Sequence, residues 1–148
     1  MGNLDIVKYL VEKGADVNPK GGEYGFALQA AADRLDIVKY LVEKGADVNA
    51  EGGRYGFALQ VAAYWGELDI VKYLVEKGAD VNAEGGEYGF ALQAAAYRGR
   101  LDVVKYFVEE KGVDVNAKGG RYGSALKAAQ KQYTLEVVKY LQEHGATE

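Results

Sequence analysis

Four glycine-rich segments, Gly21-Gly22-Glu23-Tyr24-Gly25 and its counterparts at 52–56, 85–89 and 119–123, are the first candidates for chemistry. A glycine loop ahead of a helix can cradle a phosphate with its backbone N–H groups. None of the four has the lysine, the hydroxyl or the strand context of a nucleotide loop, so anion or nucleotide binding is only a distant alternative. Asp16, Asp47, Asp80 and Asp114 each open an Asp-Val-Asn triplet. Calcium needs clustered oxygen ligands, and carboxylates spaced one per repeat read better as turn hydrogen bonding. Glu109 and Glu110 are adjacent and diverge on a helix, so they do not pair for acid–base work. His144 is the one histidine, with no cysteine or second histidine to work with, and near a helix end it reads as a contact to terminal carbonyls. There is no cysteine, hence no disulfide and no thiolate metal site. The expectation is a chain that is not an enzyme and carries no cofactor or metal.

What remains is recognition chemistry, and composition narrows its partners. The formal charge is −4, with Lys and Arg interleaved among Asp and Glu, which opposes a nucleic-acid footprint because phosphate binding needs a concentrated basic stripe. No apolar run approaches the roughly 20 residues of a membrane helix. Met1-Gly2-Asn3 runs into the first structural unit without a signal peptide, and Ile6 stands where a myristoylation motif needs Ser or Thr. The chain is therefore expected to be soluble, away from membranes and nucleic acid, and cytoplasmic if natural.

The elements that must position these residues are set by repetition. The string LDIVKYLVEKGADVN occurs word for word at 4–18, 35–49 and 68–82, and returns edited at 101–116 and 135–146. Its starts, Leu4, Leu35, Leu68, Leu101 and Leu135, are spaced by 31, 33, 33 and 34 residues. A unit of this size cannot bury its apolar face alone, so copies must stack into one elongated domain with a continuous core. Within the copy at 68–100, Ile70, Val71, Leu74 and Val75 fall at helical spacing opposite Asp69, Lys72, Glu76 and Lys77, which predicts an amphipathic outer helix. Gly78 fits a left-handed stop. Residues 79–83 read as extended and 84–89 as a glycine-rich turn. Phe90 to Tyr97 reads as a short alanine-rich inner helix, and Arg98-Gly99-Arg100 as the tight turn into the next outer helix.

This unit resembles the ankyrin repeat over essentially the whole chain. The resemblance rests on the Gly-Ala-Asp-Val-Asn segment, on Leu92, Ala95 and Ala96 of the inner helix, on the Gly99 turn and on the Ile-Val-Lys-x-Leu outer helix. One hallmark is replaced: where typical repeats read Thr-Pro-Leu-His, this chain has Phe-Ala-Leu-Gln starting at Phe26, Phe57 and Phe90, and Ser-Ala-Leu-Lys starting at Ser124. The GGxYGxALQAA pattern is similar to a variant of fungal ankyrin arrays. The resemblance implies an all-α solenoid of stacked helix-turn-helix repeats with projecting loops: a half-repeat at 4–20, repeats at about 21–51, 52–84, 85–118 and 119–148, and a polar C-terminal cap. The Thr/His network of ordinary repeats is absent, so the glycine segment must supply the turn differently. Two tyrosine ladders are expected, one through Tyr24, Tyr55, Tyr88 and Tyr122 along the loops and one through Tyr9, Tyr40, Tyr73, Tyr106 and Tyr140 along the outer helices.

Individuality lies where copies differ. Gln142 replaces the valine of Val11, Val42, Val75 and Val108, and Lys127, Gln130, Lys131 and Gln132 enter the last inner helix, as a wetted end face requires. The first outer helix is unedited, so its N-terminal face is uncapped. This suits a monomer excerpted from a longer array, or a homodimer formed through that face. Only Asp33 and Arg34 separate Ala32 from Leu35, so that inner helix should end early, and one extra residue near Glu109-Glu110-Lys111 should lengthen or bulge an outer helix. By resemblance, loop tips and inner-helix surfaces form a concave binding face for a protein partner. Its candidates are Glu23, Arg54, Tyr64, Trp65, Glu87, Tyr97, Arg98 and Arg121, and Tyr, Trp and Arg are the types enriched in binding hot spots. Two bland readings stand beside this: Glu23, Arg54, Glu87 and Arg121 alternate in sign and can form a self-contained ion-pair ladder, and Trp65 can pack over the shortened turn at Asp33-Arg34. The near-identity of the internal copies also suits a designed or consensus scaffold with no native partner, whereas the 31- and 34-residue slips suit a natural history.

Overall fold

The computed structural model describes residues 3–148. In chain order its helices are α1 (Asn3–Glu12), α2 (Ala27–Ala30), α3 (Leu35–Glu43), α4 (Ala58–Trp65), α5 (Leu68–Glu76), α6 (Ala91–Tyr97), α7 (Leu101–Lys105), which runs on as a π-helical stretch Tyr106–Glu110, α8 (Ala125–Lys131) and α9 (Leu135–Glu143). Odd-numbered helices are the outer ones. Ile70, Val71 and Leu74 of α5 are buried along one stripe, as the 3.6-residue period dictates. Inner helices α4, α6 and α8 pack side by side, each inner helix from α2 on packs against the outer helix that follows, and each outer helix touches the next. The alanines permit this close approach: Ala62, Ala63, Ala95 and Ala96 are fully enclosed. The described residues contain no strand, only an isolated bridge between two glycines in each loop. The result is an all-α solenoid with one continuous core.

Each outer helix stops through backbone geometry that its glycine permits. After α5, Gly78 takes φ 96° and donates to the Val75 carbonyl (3.1 Å) while Ala79 donates to Leu74 (2.9 Å), a Schellman closure. The chain beyond it turns, where the sequence reads as extended. Asp80 Oδ1 accepts from the Asn82 N–H (2.8 Å) and the Asp80 carbonyl from the Ala83 N–H (3.2 Å). The asparagine side chains then clamp successive repeats. Asn49 Nδ2 donates to the Gly78 carbonyl (2.9 Å) and its Oδ1 accepts from Asp80 N–H (2.9 Å); Asn18 and Asn116 do the same one repeat before and two after. Among the described residues Asn82 makes no such clamp, and the outer helix it faces is the one with the extra residue, absorbed as the π-helical stretch. The other slip also has its expected effect, since α2 holds 4 residues against 8 in α4.

The loop tyrosines stack as expected, but the outer-helix tyrosines do not. Among the described residues no two of Tyr9, Tyr40, Tyr73, Tyr106 and Tyr140 stack. Lysines intervene instead: Lys8 lies over Tyr40 (5.8 Å), Lys39 over Tyr73 (5.7 Å), Lys72 over Tyr106 (5.5 Å) and Lys105 over Tyr140 (5.8 Å). The lysine just before each tyrosine reaches the ring of the next helix and takes the face a second ring would need, an amphipathic stem covering apolar surface with its charge in water.

The two ends differ. On α1, Ile6 and Leu10 are 47% and 51% exposed, against 6% and 3% for their counterparts Ile37 and Leu41. At the other end Lys127, Lys131 and Gln142 are exposed, and Ser124 caps α8 by accepting from the Lys127 N–H (3.2 Å). His144 sits at the end of α9 with Nδ1 2.8 Å from the Tyr140 carbonyl, as its position implied. Tyr133 has φ 56°, a left-handed conformation that Gly66 (80°) and Gly99 (68°) adopt at the matching turns. Its ring is 84% exposed and contributes little packing. Tyr133→Gly is therefore expected to stabilise the chain by about 0.5–1 kcal/mol, the left-handed strain outweighing glycine's extra unfolded-state entropy. The check is a thermal midpoint raised by about 2 °C in calorimetry.

Candidate recognition face

The loops are built by hydrogen bonds from glycine to glycine and then to one another. Gly52 N–H donates to the Gly56 carbonyl (2.7 Å), closing its loop, and the tips join across repeats: Arg54 N–H to Glu23 O (3.0 Å), Glu87 N–H to Arg54 O (2.8 Å) and Arg121 N–H to Glu87 O (2.8 Å). At three of the four tips a backbone N–H that a phosphate cradle would aim outward is thus spent on the preceding loop. Gly86 makes this approach feasible: it has φ 65°, and a Cβ there would run into the Tyr55 carbonyl group.

On this backbone stand two layers of aromatic rings. Tyr24, Tyr55, Tyr88 and Tyr122 stack at centroid separations of 5.9, 6.2 and 6.1 Å. Tyr64, from the end of α4, lies across the Tyr55–Tyr88 step (5.2 and 5.3 Å), and Tyr97, from the end of α6, across the Tyr88–Tyr122 step (5.1 and 4.9 Å). Tyr88 is enclosed by Tyr55, Tyr64, Tyr97 and Tyr122, 2% exposed, and burial followed by the neighbouring Tyr64 phenol holds its own phenol well above the usual tyrosine range. The upper layer stays partly open. Arg98 spreads its guanidinium over Tyr64 (4.9 Å) and Trp65 (5.5 Å), Trp65 meets Tyr64 edge-on (5.1 Å) and is 39% exposed, and Tyr97 Oη accepts from Gln132 Nε2 (2.7 Å).

The structure sorts the eight candidates into two groups and one outlier. Tyr64, Trp65, Tyr97 and Arg98 form the aromatic–cationic layer. Glu87 is bonded on both sides, to Arg54 Nε (2.5 Å) and to Arg121 Nη1 (2.8 Å), so three of the four alternating charges do form a ladder. The hydrogen bond to Arg54, then that to Arg121, holds the Glu87 carboxyl below the usual carboxylate range. Glu23 makes no ion pair among the described residues and stands exposed at its tip. Trp65 borders a cleft with Ala30 and Asp33 beside the shortened turn and stays open to solvent.

Sequence reasoning noted one set of residues only as a departure from the Thr-Pro-Leu-His pattern and gave it no role. Gln29, Gln60 and Gln93 are buried at 1% exposure and reach the next repeat's loop. Gln29 Nε2 donates to Ala50 O and Gly56 O, Gln60 Nε2 to Ala83 O and Gly89 O, and Gln93 Nε2 to Ala117 O. They stand where the Thr-Pro-Leu-His pattern has its histidine and do inter-repeat work there. The signal was legible, since the glutamine recurs in three copies and becomes Lys127 in the fourth.

No group of three or more His, Cys, Asp or Glu side chains is placed to hold a metal among the described residues, and no helix of theirs is long and apolar enough to cross a membrane. Compared with known proteins, residues 1–85 match the family model described as Ankyrin repeats (3 copies), and residues 90–120 match that described as Ankyrin repeat. No curated protein matches the chain. With over half its length inside the first match and helix pairs stacked in register with it, the chain belongs to the ankyrin repeat family.

Proposed function

We propose that this chain, in a family whose repeats are generally protein–protein interaction modules and typically non-enzymatic, recognises a protein partner through the face made by the ends of α4 and α6 and the loop tips. Tyr64, Trp65, Tyr97 and Arg98 are its anchors, and Glu23, Arg54, Glu87 and Arg121 lie along its rim. The observation that carries this reading is the half-open stack of Arg98 on Tyr64 and Trp65. Rigid aromatic rings and a guanidinium, held in place yet partly exposed, are the groups that give most binding energy for least ordering cost. The ion-paired tips are already satisfied within the molecule, so they set charge complementarity more than affinity.

The test uses the full chain to select binders from a displayed peptide and protein-domain library. Trp65→Ala with Arg98→Ala is expected to lose at least about tenfold in affinity for the selected binders with its melting curve kept, while Lys39→Ala on the outer helices changes nothing. Binders that tolerate the double variant but lose affinity with Lys39→Ala would move the recognition face to the outer helices. A failure to select any binder leaves the scaffold reading, an array with no native partner, as the better one.

A further inference from the structure

The two residues missing between α2 and α3 remove a ring from the aromatic face. In the complete repeats the tyrosine ending the inner helix lies across one step of the loop stack, Tyr64 over Tyr55–Tyr88 and Tyr97 over Tyr88–Tyr122. The Tyr24–Tyr55 step has no such ring, because α2 ends at Ala30 and positions equivalent to Tyr64 and Trp65 do not exist. A cavity of about 120 Å³ opens there, lined by Tyr24, Gln29, Ala30, Asp33, Val61 and Trp65. That is several times the volume one water requires.

Besides the Tyr24 hydroxyl and the Trp65 indole N–H, its lining offers two acceptors, Asp33 and Gln29. Asp33 is exposed and belongs to none of the ion pairs among the described residues, although its neighbour Arg34 lies 3.6 Å from Asp36. Gln29 is 1% exposed, its Nε2 is committed to the Ala50 and Gly56 carbonyls, and its Oε1 has no partner among the described residues. Gln93 Oε1 is also without a partner among the described residues, so a spare acceptor is not peculiar to the first repeat, and what that repeat adds is the cavity beside it. Glu23, exposed at its loop tip, adds a second carboxylate to the same repeat. Aromatic walls with acceptors call for a flat cation rich in donors. The molecule supplies its own example one repeat on, where the Arg98 guanidinium rests on Tyr64 and Trp65.

We propose that the slot between Tyr24 and Trp65 receives an arginine side chain of the partner, its guanidinium against the rings and its N–H groups on Asp33 and Gln29. This rests on the recognition reading for the existence of a partner, but its test needs none. Acetyl-arginine-amide is titrated into the full chain while the indole N–H resonance of Trp65, the single tryptophan, is followed by NMR. The expected result is a saturable shift that acetyl-norleucine-amide does not produce. Asp33→Asn weakens it about threefold or more. It is lost in Ala30→Leu, which fills the slot from an exposed position, and equally on inserting Tyr-Arg after Ala32, which restores the missing ring. No shift with the arginine probe, an equal shift with the norleucine or a tyrosine probe, or a shift that survives in a folded Ala30→Leu overturns the proposal. A silent probe with binder selection intact removes the slot alone, and lost selection with the probe response intact removes the wider face alone.

Discussion

Gly86→Ala is expected to cost about 2–5 kcal/mol, while Gly78→Ala costs about 1–2 kcal/mol. Both glycines have positive φ, 65° and 96°, so both substitutions incur the left-handed penalty of about 1–2 kcal/mol. They differ in what a Cβ would meet. Nothing lies within 4 Å of one on Gly78, whereas one on Gly86 would overlap the Tyr55 carbonyl group and come within 2.6 Å of the Gly56 nitrogen. Relief requires the loops to separate, stretching the 2.8 Å bond from Glu87 N–H to Arg54 O and the tyrosine stack above it. Overpacking of this kind adds about 1–3 kcal/mol. Because repeats are held by nearest-neighbour interfaces, the damage falls on one junction, and denaturant unfolding of Gly86→Ala should broaden or split where that of Gly78→Ala only shifts. Equal, parallel shifts for the two variants would show that conformation alone, and not the approach of successive loops, makes the glycine necessary.

The contrast also marks how far a sequence reaches in a repeat protein. Periodicity gave the outer helices, their glycine stops and the stacking, because burial and backbone conformation act within one copy. The loop-tyrosine ladder followed as well, since residues in register on stacked copies must meet. The outer-helix tyrosines obeyed the same register and failed, because Lys39 or Lys72 next to each ring is long enough to take the neighbouring ring's face. Register says which residues are opposite, not which of two opposed side chains wins the contact. The two slips were legible as lengths, yet the slot beside Trp65 was not. Seeing it requires knowing that Tyr64 and Tyr97 lean across the loop stack rather than along their own helices. Gln60 was passed over because a glutamine among alanines looks like a solvated position until the next repeat's carbonyls are placed over it.

Tyr88 tests whether the aromatic layer is structure or only surface. Its ring is in contact with Tyr55, Tyr64, Tyr97 and Tyr122 and has 2% of its surface exposed, so Tyr88→Ala should cost about 3–5 kcal/mol and loosen both adjoining junctions. Tyr88→Phe keeps the ring and should change stability near neutral pH by less than about 1 kcal/mol. The two variants part again in alkali. Tyr88 titrates above its usual value of 10.0 because ionisation would place charge in the buried stack. A raised folded-state value means its stabilisation is complete below pH 10 and is lost as pH climbs from there. Tyr140, raised to about 12 by burial and by its bond to Glu109, contributes over the same range. Alkaline unfolding of the parent chain should therefore begin above pH 10, and Tyr88→Phe should move its midpoint upward by removing the phenol that must ionise. Circular dichroism across pH 8–13 reads both. An unchanged midpoint in Tyr88→Phe would mean the stack opens before this phenol titrates, and a small loss in Tyr88→Ala would mean that the glycine loops and the buried glutamines, rather than the rings, hold the repeats together.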